Sequence, residues 1–166
     1  MITFLKELFQ IIWMLFSSKP SKFNRLQLRR MEKFSFSGHK YMSWCGYLVH
    51  KMDDIEEYMK MDRWKVDENH ENIHLGQAKK FKFWLTYYVS YLWEIIKYNP
   101  FSDKAYYLNS YEMEAYANEN NLDYSKSYTG EYLHVYKEVK DKGKIWKELG
   151  CSSRKWKEYV RTIKLE

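Results

Sequence analysis

"VDENHENIHLGQ", Val66 to Gln77, decides how this chain is read. Within it, His70-Glu71-Asn72-Ile73-His74 spells HExxH. Residues four apart share one face of a helix. His70 and His74 can therefore hold one metal ion through neutral imidazoles. Glu71 projects beside that ion, where it can take a proton from a bound water. Gln77, three residues past His74, lies on the same face and can hydrogen-bond a ligand. The bland reading is two exposed histidines on a polar helix. HExxH arises by chance in about one chain of this size in a hundred, so the motif needs a partner elsewhere in the chain.

The 166 residues suffice for one domain with a real core. Aromatics make up 19%, while Gly 6 and Pro 2 are few. Many large side chains and few breakers predict a mostly helical chain with aromatic-rich packing, and a small sheet near residues 34–51 makes the expected class α+β. The net charge of +6 is carried by the ends, residues 1–33 and 137–166, and the centre is mildly acidic. An acidic centre suits a cation; basic ends suit membrane headgroups, nucleic acid or simple solubility. Cys45 and Cys151 form no CxxC pair, which favours a reducing, cytoplasmic compartment.

"ITFLKELFQIIWMLF", Ile2 to Phe16, reads as an amphipathic helix with a wide apolar face. It lacks the basic start and cleavage site of a signal peptide and is short for a bilayer span. With the basic run that follows, it can lie on an anionic membrane as a peripheral contact, or pack on the core. Residues 1–33 read as this helix and a basic linker that begins with "SSKPSK", Ser17 to Lys22, 34–136 as the core, and 137–166 as a basic helical segment packed on that core. Phe34 to Lys51 predicts one or two short strands, including Phe34–Ser37 and Tyr47–Val49. A helix should start near Asp67, which can cap it. Phe81 to Tyr98 predicts a buried core helix, and another helix runs from about Ser110 to Asn120.

A catalytic zinc needs a third protein ligand. Glu112 and Glu114, in "NSYEMEAYANENN" (Asn109 to Asn121), are the available carboxylates. The intervening aromatic helix gives the chain room to return antiparallel. "NHENIHLGQ", this aromatic helix and then "YEMEAYANE" together resemble zincin metallopeptidases of the gluzincin kind. In those, HExxH is followed on a later helix by Glu-x-x-Ala, often with Asp next. The sequence looks especially like small bacterial zincin-like proteins with HExxHxxQ and E-x-E-A-Y-x-N-E segments, over about Gly46 to Asn121. The resemblance implies a zincin-like helix pair beside a small N-terminal sheet, with one zinc ion on His70, His74 and Glu112. It makes Glu71 the general base and puts Glu114 and Gln77 behind the ligands. Tyr116 stands where the family has Asp, and can donate a hydrogen bond or pack.

The activity implied is zinc-dependent peptide-bond hydrolysis. Tyr116, His134, His39 and His50 are the residue types available to stabilise the oxyanion. Substrate strands pair with an edge strand in zincins, and Tyr47, Leu48 and Val49 are the candidate. Two other readings remain: a zincin-like metal-binding or interaction protein without turnover, and a nucleic-acid binder. The latter would use "IWKELGCSSRKWKEYVRTIK", Ile145 to Lys164, as a helix-turn-helix presenting Arg154, Lys155, Lys157 and Arg161. One helix pair does not complete such a domain, so nucleic acid is the least favoured partner.

Overall fold

The computed structural model describes residues 2–33, 40–126, 128 and 132–163. Helix α1 (Ile2–Ser17) leads through a 3₁₀ turn at Pro20–Lys22 to strands β1 (Gln27–Arg30), β2 (Tyr41–Trp44) and β3 (Tyr47–His50). Helices α2 (Ile55–Tyr58), α3 (Asp62–Lys79), α4 (Trp84–Ile96), α5 (Asp103–Leu108) and α6 (Ser110–Asn118) follow. Helices α7 (Leu133–Glu138), α8 (Lys142–Glu148) and α9 (Ser153–Val160) complete the described chain. This is the expected α+β architecture, mostly helical with a small sheet.

The sheet order is β1-β3-β2, with β1 parallel and β2 antiparallel to β3. Cys45 and Gly46 join β2 to β3, with φ of 48° and 87°. A two-residue hairpin whose twist matches its strands needs positive φ at both central positions. Gly46 also sits under the Phe23 ring, where an added Cβ would stand 2.4 Å from a ring carbon.

Four local readings change. The stretch read as a linker contains β1, because pairing with β3 satisfies its backbone. Strand β3 is central, so Tyr47, Leu48 and Val49 are flanked on both sides and cannot pair with a substrate. Helix α3 starts at Asp62, with Met61 at its N-cap. Asp67 instead accepts from the Tyr58 hydroxyl and pairs with Arg63, while Trp64 packs against Tyr41 and Tyr58. Helix α4 buries Trp84, Tyr87 and Glu94 but leaves its opposite face exposed. The strand expected at Phe34–Ser37, and His39, lie outside the described residues.

Two apolar clusters organise the fold. One joins α1, Phe23, the sheet, the C-terminal part of α3 and α4. The other joins α5 to α9 around the fully buried Trp156, whose indole N–H donates to the Tyr107 carbonyl at 2.7 Å. The basic tail is therefore packed on the core. Lys142 shows how closely: its ammonium donates to Ser110 Oγ at 2.8 Å, which donates to Glu94 Oε2 at 2.7 Å. Burial pushes Lys142 down to about 8, with Glu94 pulling the other way. Between the two clusters, α3 crosses α6 over Ile73, Ala115 and Tyr124.

Candidate metal centre

The crossing of α3 and α6 is pinned by residues flanking HExxH. Asn69, just before His70, reaches the carbonyls of Asn118, Glu119 and Asn121 at 3.3, 2.8 and 3.0 Å. These belong to the C-terminal end of α6, where helix geometry leaves carbonyls without partners. At the other end, Gln77 Nε2 donates to the Tyr111 carbonyl at 2.9 Å and to Glu114 Oε2 at 2.8 Å. Asn109 caps α6 by accepting from Tyr111 N at 3.0 Å. Glu112 then falls in the first helical turn, where the positive end of the dipole favours a carboxylate.

This crossing brings His70, His74 and Glu112 together, all buried, with their donor atoms within 4.8 Å of one another. The two Nε2 atoms stand 3.3 Å apart. His74 Nε2 is 3.2 Å from Glu112 Oε1, and His70 Nε2 is 3.5 Å from Glu112 Oε2. Nitrogen and oxygen donors about 2.0–2.1 Å from a tetrahedral ion such as zinc stand about 3.3–3.4 Å apart. The Nε2–Nε2 and His74–Oε1 spacings lie near that edge, while His70 faces the other Glu112 oxygen, so the carboxylate straddles the imidazole pair. Glu112 Oε2 is buried without a hydrogen-bond partner, and a buried carboxylate oxygen is costly to leave so. The donor set and its orphan oxygen fit a cation.

The far side of each ligand is held as well. Gln77 spends its amide nitrogen on Tyr111 and Glu114, so its oxygen accepts from His74 Nδ1 at 2.8 Å. Nδ1 then carries the proton and the Nε2 lone pair faces the cluster. Glu119 Oε2 does the same for His70 Nδ1 at 3.0 Å. The Tyr91 hydroxyl donates to Glu112 Oε1 at 2.6 Å. Glu114 faces away from the three donors and accepts from Gln77, Tyr124 and Tyr128. Burial raises its pKa against the pull of these donors. Gly76 makes room for Tyr128: a Cβ there would lie 2.3 Å from the tyrosine ring.

Burial opposes the charge on His70, but Glu112 and Glu119 outweigh it and push the imidazole up to about 10. His74 is raised too, by Glu112 against burial. Burial alone would raise Glu112; the two imidazoles win and hold it well below the usual carboxylate range. The metal-free cluster thus holds protons that a cation would displace.

His70 opens onto a cleft of about 1210 Å³, lined also by Glu71, Tyr106, Tyr116, Glu119 and Lys157. Glu71 Oε2 accepts from the Ser43 amide at 2.9 Å. That amide belongs to β2, one of the sheet's two edge strands. Lys51 N donates to Lys40 O at 3.2 Å. Alternation along the antiparallel ladder then turns the backbone groups of Tyr41 and Ser43 away from β3. Strand β2 is thus an edge strand, as β1 is on the other side of β3, and Lys40 and Tyr41 line the cleft.

Tyr116 lies 4.7 Å from the His70 ring, centroid to centroid, with the Lys157 ammonium 3.7 Å over its own ring. His134 is exposed on α7 and is not among the residues lining the cleft. His50 is buried at the end of β3, also away from that lining. Of the described oxyanion candidates, Tyr116 alone reaches the site.

Several site residues escaped the sequence reading: Asn69, Glu119, Tyr91, Ser43 and Lys157. A signal existed only for Glu119, which follows Glu112 by two helical turns and so shares its face. In the helix-turn-helix reading, Lys157 and Arg161 were free to meet phosphate. Here Lys157 covers Tyr116, and Arg161 pairs with Glu119 at 2.8 Å.

Compared with protein-family models, curated proteins and solved structures, the chain matches none, so the site is read from its own geometry.

Proposed function

We propose that the chain is a zinc-dependent peptide-bond hydrolase, with His70, His74 and Glu112 holding one zinc ion and Glu71 acting as general base. The observation that carries this reading is the convergence of three buried donor groups, with Glu112 Oε2 left without a hydrogen-bond partner. Zinc bound there would supply a water of lowered pKa and polarise a substrate carbonyl.

The chain's own residues do the rest. Glu71 borders the cleft with Oε2 fixed by Ser43, leaving Oε1 to take a proton and later return it to the leaving amine. The Tyr116 ring stands beside His70 at the cleft wall, and its hydroxyl, which donates to the Tyr106 hydroxyl at 3.2 Å, would turn from that partner to donate to a developing oxyanion. The outward groups of Tyr41 on β2, rather than anything on β3, are placed to pair with an extended peptide.

The test is metal analysis of the wild type beside His70→Ala, His74→Ala and Glu112→Ala, with hydrolysis of a mixed peptide library measured alongside. Near-stoichiometric zinc in the wild type, lost in all three variants, is expected. Glu71→Gln should keep the zinc and lose about 10²–10⁴-fold in rate. Zinc that survives Glu112→Ala would refute the ligand set. Stoichiometric zinc without hydrolysis of any peptide would leave a metal-binding protein.

A further inference from the structure

We propose that α1 and α4 together form a face that docks on an anionic lipid bilayer, a reading independent of the metal centre. A helix that buries one face ordinarily turns a polar face to water. Helix α1 buries Ile11 and Met14, yet on its opposite side it exposes Leu5, Phe9, Ile12, Trp13 and Phe16, with Trp13 70% exposed. Helix α4 repeats the pattern with Leu85, Val89, Leu92, Trp93 and Ile96, Trp93 being 62% exposed. The stripes meet, because Phe16 and Leu85 line one groove of about 400 Å³ between the helices. Lys19 and Lys22 line the same groove.

Charge selects the occupant. In residues 2–25 the exposed charges are Lys6, Lys19, Lys22 and Arg25. In residues 79–97 they are Lys79, Lys80, Lys82 and Lys97. The acids of these segments, Glu7 and Glu94, are both buried. A second copy of this face would set cations against cations, whereas anionic headgroups complement them while their acyl chains cover the aromatics. Among the described residues no helix is long and apolar enough to cross a membrane. Both helices therefore lie along the interface.

The experiment is vesicle flotation of the full chain with phosphatidylcholine alone and with ~30% phosphatidylglycerol added. Binding to the anionic vesicles only is expected, fading at about 1 M salt, where the Debye length is ~3 Å. Each lysine near such a surface is worth about fivefold in affinity, so Lys19→Gln with Lys22→Gln should lose about 25-fold. Trp13→Ser and Trp93→Ser, each at an exposed position with unchanged circular dichroism, should each lose about tenfold or more. Equal binding to both vesicle types overturns the proposal. So does loss in Trp13→Ser with none in Trp93→Ser, which leaves α1 alone. So does a concentration-dependent dimer, dissociated by both tryptophan changes, without flotation.

Discussion

Replacing Glu119 with alanine should weaken zinc binding without removing a donor from the site. Glu119 Oε2 lies 3.0 Å from His70 Nδ1, and its side chain is only 13% exposed. A hydrogen bond to a charged group in such a place contributes about 1.5–3 kcal/mol, which is about 10- to 100-fold in affinity. Loss of such an outer partner costs metal sites a similar factor. The physical reason is that Nδ1–H loses the acceptor that fixes the ring and its tautomer. An opposing effect follows from the same bond. Glu119 helps to raise His70, so without it a bound proton competes less with zinc. The loss should therefore be partly masked near pH 7 and larger at about pH 9, closer to where wild-type His70 gives up its proton. Competition against a chromogenic chelator at both pH values measures it. Arg161→Gln is the control: its pair with the other Glu119 oxygen is 37% exposed on the arginine side, and such a pair contributes at most about 1 kcal/mol. That change should leave zinc affinity nearly unaltered. Equal affinities of wild type and Glu119→Ala at about pH 9 would refute the role given to Glu119.

Without metal, the protein's stability should depend on pH through the His70–Glu112 contact. His70 is raised on folding, so its contribution is complete below about pH 6.5 and is lost as pH climbs toward about 10. Glu112 is depressed, so its contribution is complete above about pH 4.3 and is lost on acidification. Urea midpoints across pH should peak between these limits, and a flat profile would contradict the geometry. Gly76→Ala ordinarily favours a helix by about 1 kcal/mol. Here the Tyr128 ring occupies the space, and overpacking of about 1–3 kcal/mol should make the change destabilising; a raised melting temperature would count against that packing. Trp156→Ala should cost about 3–5 kcal/mol in urea unfolding, and a loss below 1 kcal/mol would mean that the tail is not part of the core.

The local part of the site was legible in the amino-acid order. Backbone hydrogen bonding between residues four apart fixes the helical period, so HExxH alone puts His70 and His74 on one face with Gln77 behind them. The same period separates Glu112 from Glu114. Composition alone foretold a mostly helical chain, since so few breakers leave long runs for helices. What tertiary structure decided is which surfaces meet. Asn69 reaches the end of α6, Glu119 reaches His70, and Ser43 reaches Glu71 across many intervening residues, and no periodicity encodes those approaches. Strand order is also non-local: parallel pairing with β1 moved Tyr47–Val49 from the edge to the centre and left β2 at the cleft. Burial of α4 on one side only was likewise settled by how much surface the rest of the chain could cover. Local hydrogen-bond geometry acts within a few residues, whereas core burial is shared by the whole chain, and only the folded whole determines its partners.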